Sequence, residues 1–328
     1  MKQAEFFDED EFMSIELIEH HYPKRRVVVR EVGLRDGLQM AQVFPSTEQK
    51  KRWISLEYSA GVRHFEAGSF LPVSRFPQFA DVGEIVRHIQ SLPGATAIAL
   101  VVNERGISEA FAAGVDELTL VLSATEEHNQ ANTRRSREAS LEAIGHAVKQ
   151  RDQTSRQTLL NVIISMSFGC SIAGTVDSDE VLRLARECLK LGVDTVGIAD
   201  TVGYAGPTQV KALCQQMASL MGERPYTVHL HNTRGTGLAN AAAALEAGAR
   251  IFDASLAGLG GCPFAPGATG NVVIEDLLFM FETMGISTGV DIARLIEVRR
   301  VISETMPDEP LHGGVAQAGL PKNFRSQV

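Results

Sequence analysis

From Val27 to about Gly285 the chain alternates short β-rich apolar runs with helix-compatible stretches, and the junctions between them repeat. Ala60-Gly61-Val62, Ala113-Gly114-Val115, Leu191-Gly192-Val193 and Ala247-Gly248-Ala249 each set a glycine between a helical stretch and an apolar run. A glycine just past a helix end takes the left-handed cap without Cβ strain, and a strand can start at once. The apolar runs fall near 27–31, 63–67, 96–102, 117–122, 159–165, 194–199, 226–230 and 251–255. The helical stretches fall near 47–60, 80–91, 104–113, 136–150, 178–191, 207–220, 236–248 and 271–285. Eight β/α units in about 250 residues predict a (β/α)8 TIM barrel of the α/β class. An open doubly wound sheet fits less well. It would carry a GxGxxG turn after its first strand and gather its functional residues at one switch point. We expect residues 1–26 to be an N-terminal extension, either a short helix on the body or disordered. Residues 27–305 form the catalytic barrel, with a lid loop at 258–271 and an extra helix near 291–304. Residues 306–328 are a C-terminal tail.

Composition narrows the partners. The net charge is −9 over 328 residues, with no basic tract, which argues against nucleic acid. No apolar run reaches the ~18 residues of a membrane span. The acidic start MKQAEFFDEDEF has neither the apolar core of a secretory signal nor the arginines of a transit peptide. Cys170, Cys188, Cys214 and Cys262 are dispersed, without a CxxC pair. That predicts a reducing, cytoplasmic setting and no disulfide framework or structural zinc.

Four segments carry chemistry. The first is Val27–Gln39, VVVREVGLRDGLQ, in which a β-branched run opens into the turn Gly33-Leu34-Arg35-Asp36-Gly37. A barrel places such a turn at the C-terminal end of a strand, where active sites sit. Arg35 and Asp36 are then a cation and a carboxylate side by side at the catalytic rim, or a plain charge pair on a surface turn. In Val228-His229-Leu230-His231-Asn232, residues i and i+2 of a strand face the same way. His229 and His231 can therefore chelate one divalent metal; two core histidines with satisfied hydrogen bonds are the alternative. The third segment, Gly258–Asn271, has five glycines and two prolines in fourteen residues and cannot be a regular element. It reads as a lid whose backbone approaches a ligand. Cys262 lies in it, Asn271 at its end reads equally as a helix N-cap, and Glu275 follows one turn on. Finally, Glu66 and Asp200 close the second and sixth apolar runs; each suits a catalytic rim or a loop cap.

Taken together, VREVGLRDGLQ, HLHNTRG and GLGGCPFAPGATGN with Glu275-Asp276 resemble the 3-hydroxy-3-methylglutaryl-CoA lyase family, a branch of the TIM-barrel metalloenzymes that include isopropylmalate synthase. The similarity spans Val27 to Gly285, and the Gly-Gly-Cys-Pro loop marks the lyase branch. The resemblance implies that Asp36, His229, His231 and Asn271 hold a divalent metal, Mg²⁺ or Mn²⁺ or else Co²⁺. It implies that Arg35, Glu66, Asp200, Cys262 and Glu275, with His229, serve catalysis, and that Arg35 and Gln39 face the substrate; Arg234, three residues past the His229–His231 strand, is expected at the rim near the substrate by its position. The implied reaction is a retro-Claisen cleavage of a 3-hydroxyacyl-CoA to acetyl-CoA and a keto acid, by an enzyme that is commonly a homodimer. A Claisen-type condensing acyltransferase on the same barrel is the alternative chemistry, and a non-catalytic ligand-binding barrel is the remote one.

The departures concern the substrate. Met40-Ala41-Gln42 stands where the lyases have Asn-Glu-Lys, and Gly169-Cys170-Ser171-Ile172-Ala173-Gly174 where they have Gly-Cys-Pro-Tyr-Glu-Gly. Ser69, Phe70, Pro77 and Gln78 are kept, but Ser74-Arg75 replaces Lys-Trp. Arg234 stands where the lyases usually have tyrosine. We expect it either to clamp a carboxylate, as in a citramalyl-CoA-like substrate giving pyruvate, or to pair with Glu275 or Asp200. Without the usual lysine at Gln42, the CoA phosphates would fall to Arg134, Arg135 or Arg137.

Overall fold

The computed structural model describes residues 9–154, 157–260 and 270–324. Eight parallel strands close into a barrel in chain order: β1 (Val28–Glu31), β2 (His64–Ser69), β3 (Thr96–Val101), β4 (Glu117–Ser123), β5 (Leu159–Ser165), β6 (Thr195–Asp200), β7 (Thr227–Leu230) and β8 (Ile251–Ala254), with β8 pairing back onto β1. Ahead of them lies α1 (Glu9–His21). The helices between strands are α2 (Thr47–Ala60), α3 (Val82–Gln90), α4 (Glu104–Ala113), α5 (Glu126–Thr133), α6 (Arg137–Thr154), α7 (Ser178–Lys190), α8 (Pro207–Met221) and α9 (Gly237–Glu246). Then come α10 (Ile274–Thr283), α11 (Ile292–Thr305) and the short α12 (Gly314–Ala318). The predicted (β/α)8 barrel with an N-terminal extension and an extra C-terminal helix is the observed architecture. Among the described residues no helix is long and apolar enough to cross a membrane.

The local rules hold at the junctions. Gly61, Gly114, Gly192 and Gly248 all have positive φ, as the capping argument requires. Ser46 and Gln49 form a reciprocal cap at the start of α2. Two elements differ from expectation. Helix α5 was hidden because EEHNQANT has no apolar stripe. Polar bonds hold it instead: buried Asn129 accepts from Ser123 N at 3.0 Å and donates to Ser140 Oγ at 2.9 Å. The helix expected from 271 begins at Ile274, with Val273 at its cap. Asn271 pairs instead with His231 of the loop after β7, in an isolated antiparallel bridge.

Side chains alternate along β1. Arg30 is hydrogen-bonded to Glu117 and Asp253 of other strands of the barrel, whereas Glu31 lies toward α2 beside Glu57. Glu31 and Glu57 are fully buried. Burial pushes the Glu31 carboxyl from 4.5 up to about 8, against the amides of Gly33 and Leu256 that favour its charge. Burial and then the charge of Glu31 also raise Glu57. Stability from a raised acid is complete below its unfolded pKa, near 4.5, and is lost as pH rises through its folded pKa, about 8 for Glu31 and well above the usual carboxylate range for Glu57. Glu57→Leu, close in volume, is therefore expected to gain on the wild type as pH rises. Thermal melts at pH 5 and pH 9 check this: the variant's advantage should grow by about 3 °C or more, and a difference independent of pH would contradict it.

Candidate active site

Strand β1 ends at Glu31, and the chain at once makes one turn of π-helix, Gly33–Gly37. Glu31 shapes the turn, since its Oε1 accepts from Gly33 N at 2.5 Å and from Leu256 N at 3.2 Å. A Cβ at position 33 would stand 2.5 Å from that oxygen and 3.1 Å from the Trp53 ring, so a larger residue there would push the Glu31 carboxylate off the turn. The turn delivers Arg35 and Asp36 to the C-terminal end of the barrel. Arg35 Nε donates to Glu66 Oε2 at 2.7 Å and Nη1 to Asp36 Oδ1 at 2.6 Å. Burial opposes charge on Asp36, but Arg35 and the two histidines outweigh it and hold the carboxyl well below the usual range. Glu66 goes the other way, because its burial outweighs Arg35.

Both histidines converge on Asp36. His229 Nε2 and His231 Nε2 stand 3.1 Å apart. They lie 3.8 and 3.4 Å from Asp36 Oδ2. His229 is oriented from behind, with Nδ1 3.0 Å from Asp253 Oδ2. A neutral imidazole that gives Nδ1–H to that carboxylate presents Nε2 as a lone pair. Asn271 completes the group. Its Nδ2 donates to Asp36 Oδ2 at 2.7 Å and to Leu259 O at 3.0 Å, while its Oδ1 is buried with no hydrogen-bond partner among the described residues. Gly260, at φ +115°, makes room, since a Cβ there would lie 2.6 Å from Asn271 Nδ2. One carboxylate held ionised, two imidazoles and an unpaired amide oxygen fit a divalent cation of the Mg²⁺–Mn²⁺–Co²⁺ kind. Asp36, His229 and His231 are a group of potential metal-binding donors, all within 4.8 Å of one another.

The remaining expected residues differ in setting. Glu66 touches Arg35 directly. Asp200 is buried at the end of β6, and its two oxygens accept from Tyr204 N at 2.8 Å and Ala205 N at 3.1 Å. Burial raises its proton affinity against those amides, and His231 and Arg234 act on it electrostatically. Glu275 lies deeper: it pairs with Arg299 Nη1 at 2.6 Å and accepts from Ala257 N at 3.0 Å, bracing the turn after β8. Gln39 sits half-buried beyond the π-turn, its carbonyl held by Gln78 Nε2 at 2.9 Å. Arg234 pairs with neither Glu275 nor Asp200. Its Nη1 donates to the carbonyls of Val202 and Gly203, and its guanidinium lies 4.6 Å over the Tyr204 ring. Arg137 binds Ala124 O and Glu180, so its charge is already countered. Arg134 is exposed and Arg135 partly so. Cys262 lies outside the described residues.

Sequence reading missed Asp253, Arg30 and Glu117. The signal was present as a charged residue inside each of three apolar strands, VVRE, IFDA and ELTLVLS. Charges this deep are retained only when paired.

A closed parallel barrel that gathers a carboxylate and two imidazoles at the C-terminal ends of its strands has the layout of a metal-assisted barrel enzyme. The HMGL-like family model matches residues 26–302. The chain is 36% identical over 287 residues to the hydroxymethylglutaryl-CoA lyase YngG of Bacillus subtilis, covering 87% of this chain and 94% of that protein. It is 38% identical over 305 residues to an (R)-citramalyl-CoA lyase of Chloroflexus aurantiacus, covering 89% and 95%. Its structure is similar to that of an HMG-CoA lyase from Acinetobacter baumannii in complex with coenzyme A and 3-methylmalate, with a TM-score of 0.85 at 38% identity over 92% of this chain and 98% of that one. The chain belongs to the HMGL-like family and is a carbon–carbon lyase.

Proposed function

We propose that this enzyme cleaves the C2–C3 bond of a 3-hydroxyacyl-CoA by a retro-Claisen reaction, releasing acetyl-CoA and a keto acid. The observation that carries the reading is the convergence of Asp36, His229, His231 and the unpaired Asn271 Oδ1 beside the Arg35 guanidinium. These four residues would hold the divalent ion, whose part when bound is Lewis acidity toward the substrate's 3-hydroxyl. The chain's own groups then do the rest. Asp200, whose burial raises its proton affinity, takes the hydroxyl proton. As the C2–C3 bond breaks, its electron pair passes to the thioester as an enolate, and Arg35 faces the enolate oxygen with its charge already in place. The enolate carbon is protonated to give acetyl-CoA, and Cys262 is our candidate donor. Glu66 holds Arg35, Glu275 braces the turn after β8, and Gln39 lies beside the substrate. We also propose that the enzyme acts as a cytoplasmic homodimer and that 27–305 is its catalytic unit.

Two substrates fit. 3-Hydroxy-3-methylglutaryl-CoA would give acetoacetate, as in leucine degradation; citramalyl-CoA would give pyruvate. Arg234 favours the second. It is exposed over Tyr204, and two carbonyls occupy only Nη1. The rest of its donor fork suits a carboxylate. The test is a cleavage screen on a panel of 3-hydroxydicarboxyl-CoA thioesters, with kcat/KM for the two candidates compared in the wild type and Arg234→Tyr. Arg234→Tyr is expected to lower the preference for citramalyl-CoA about tenfold or more, the cost of losing one charge-assisted bidentate contact. An unchanged ratio would show that Arg234 does not choose the substrate.

A further inference from the structure

The interior of a barrel like this is ordinarily filled by branched apolar side chains in layers. Here a chain of polar and ionisable groups runs through it. Strand register sets the row, because Asp253 on β8 stands beside Arg30 on β1 and beside His229 on β7. Asp253 Oδ2 lies 3.0 Å from His229 Nδ1. Arg30 Nε donates to Asp253 Oδ1 at 2.6 Å and Nη2 to Oδ2 at 3.1 Å. Arg30 Nη1 donates to Glu117 Oε1 on β4 at 2.6 Å, and Asn161 Nδ2 donates to the same oxygen at 3.1 Å. The other oxygen of Glu117 accepts from the Tyr22 hydroxyl at 2.5 Å. Tyr22, the residue after α1, is itself buried. It stacks on His64 with centroids 5.1 Å apart and packs with Ile18, Val28, Leu159 and Ile251 at the closed end of the barrel. Every member of the chain is buried.

We propose that Arg30, Glu117 and Tyr22 are positioning residues, forming with Asp253 a buried relay that sets the ring orientation and tautomer of His229. The inference rests on His229 being a functional ligand, as above, and makes the segment around α1 part of the site's support. Each link has a physical task. Asp253 has one oxygen pair to serve two partners, and Arg30 fixes its plane with a two-point grip. Arg30 needs a second anion to hold its other arm, and Glu117 supplies it. Glu117 in turn needs a donor on its remaining oxygen, since a buried carboxylate oxygen without one is costly. Tyr22 provides that donor. Outer partners of a ligating histidine set its tautomer and basicity, and this set reaches from the catalytic end of the barrel to the other.

The test compares Glu117→Gln and Tyr22→Phe with Tyr58→Phe, whose hydroxyl serves only Pro93 O on the surface. Two readouts are used besides melting temperature. One is the ¹⁵N shifts of the His229 ring in metal-free protein, assigned with a His229→Asn variant. The other is Mn²⁺ affinity from the free-ion paramagnetic signal. Glu117→Gln is expected to shift the tautomer population and weaken Mn²⁺ binding about tenfold, the lower end for an outer partner. Tyr22→Phe should do the same by about threefold, one link further away, and Tyr58→Phe should change neither. Should Glu117→Gln fail to fold, Tyr22→Phe carries the test, since it removes a single oxygen. Altered ring shifts in a protein that holds no Mn²⁺ would support the relay and count against the metal reading alone. Folded variants with wild-type ring shifts and affinity would overturn the relay, whatever their melting temperatures.

Discussion

Arg35→Met is expected to lower kcat about a thousandfold while KM changes by only a few fold. Charge on the thioester oxygen develops as the bond breaks, so a cation facing it acts chiefly on the transition state. Loss of one donor of this kind costs about 10²–10³ in kcat, and a charge is worth more than a neutral donor. Arg35 is ready before substrate arrives: Glu66 holds Nε and Asp36 holds Nη1, at 2.7 and 2.6 Å. Steady-state kinetics on a folded variant check this. An increase in KM with kcat intact would make Arg35 a substrate anchor and move enolate stabilisation elsewhere.

Asp36→Ala is expected to abolish turnover and metal binding together, leaving the barrel folded. Asp36 is the anionic member of the proposed ligand set, and its oxygens organise the others. Oδ2 receives Asn271 Nδ2 and lies near both histidines, and Oδ1 receives Arg35. Removing it leaves two imidazoles and an amide with no carboxylate among them, a poor site for a hard cation. It also leaves the Arg35 fork one partner short. The residue sits at the rim, outside the apolar cluster that holds sheet to helices, so the circular dichroism spectrum should persist. A folded Asp36→Ala enzyme that kept both metal and activity would remove Asp36 from the assignment.

The fold was legible in the chain because its signals are local. A glycine at 61, 114, 192 or 248 ends a helix by its own backbone, with no help from distant residues. The cluster of Asp36, His229 and His231 was legible for the same reason, since a strand's period of two and a turn after a strand are properties of short stretches. What stayed hidden depends on closure of the barrel. Arg30, Glu117 and Asp253 are 87 and 223 residues apart along the two links that join them. Nothing in VVRE names the partner across the barrel. Of the two settings expected for Arg234, pairing with Glu275 or Asp200 is not the one found, for a related reason: the bend after β6 offers it two carbonyls and a ring. Helix α5 escaped because its fixing groups are polar and buried, and a search for apolar periodicity passes over them.

The central claim is that the Asp36–His229–His231–Asn271 group holds a divalent ion without which this lyase does not cut. The direct measurement is acetyl-CoA release, followed by mass spectrometry, from 3-hydroxy-3-methylglutaryl-CoA and citramalyl-CoA. It is run with the enzyme as purified, after chelation, and after restoring Mg²⁺ or Mn²⁺. Release that disappears on chelation and returns with the ion, from at least one of the two thioesters, is the predicted result. Release that continues unchanged in fully chelated enzyme, or no release from either thioester with the ion bound, would contradict it.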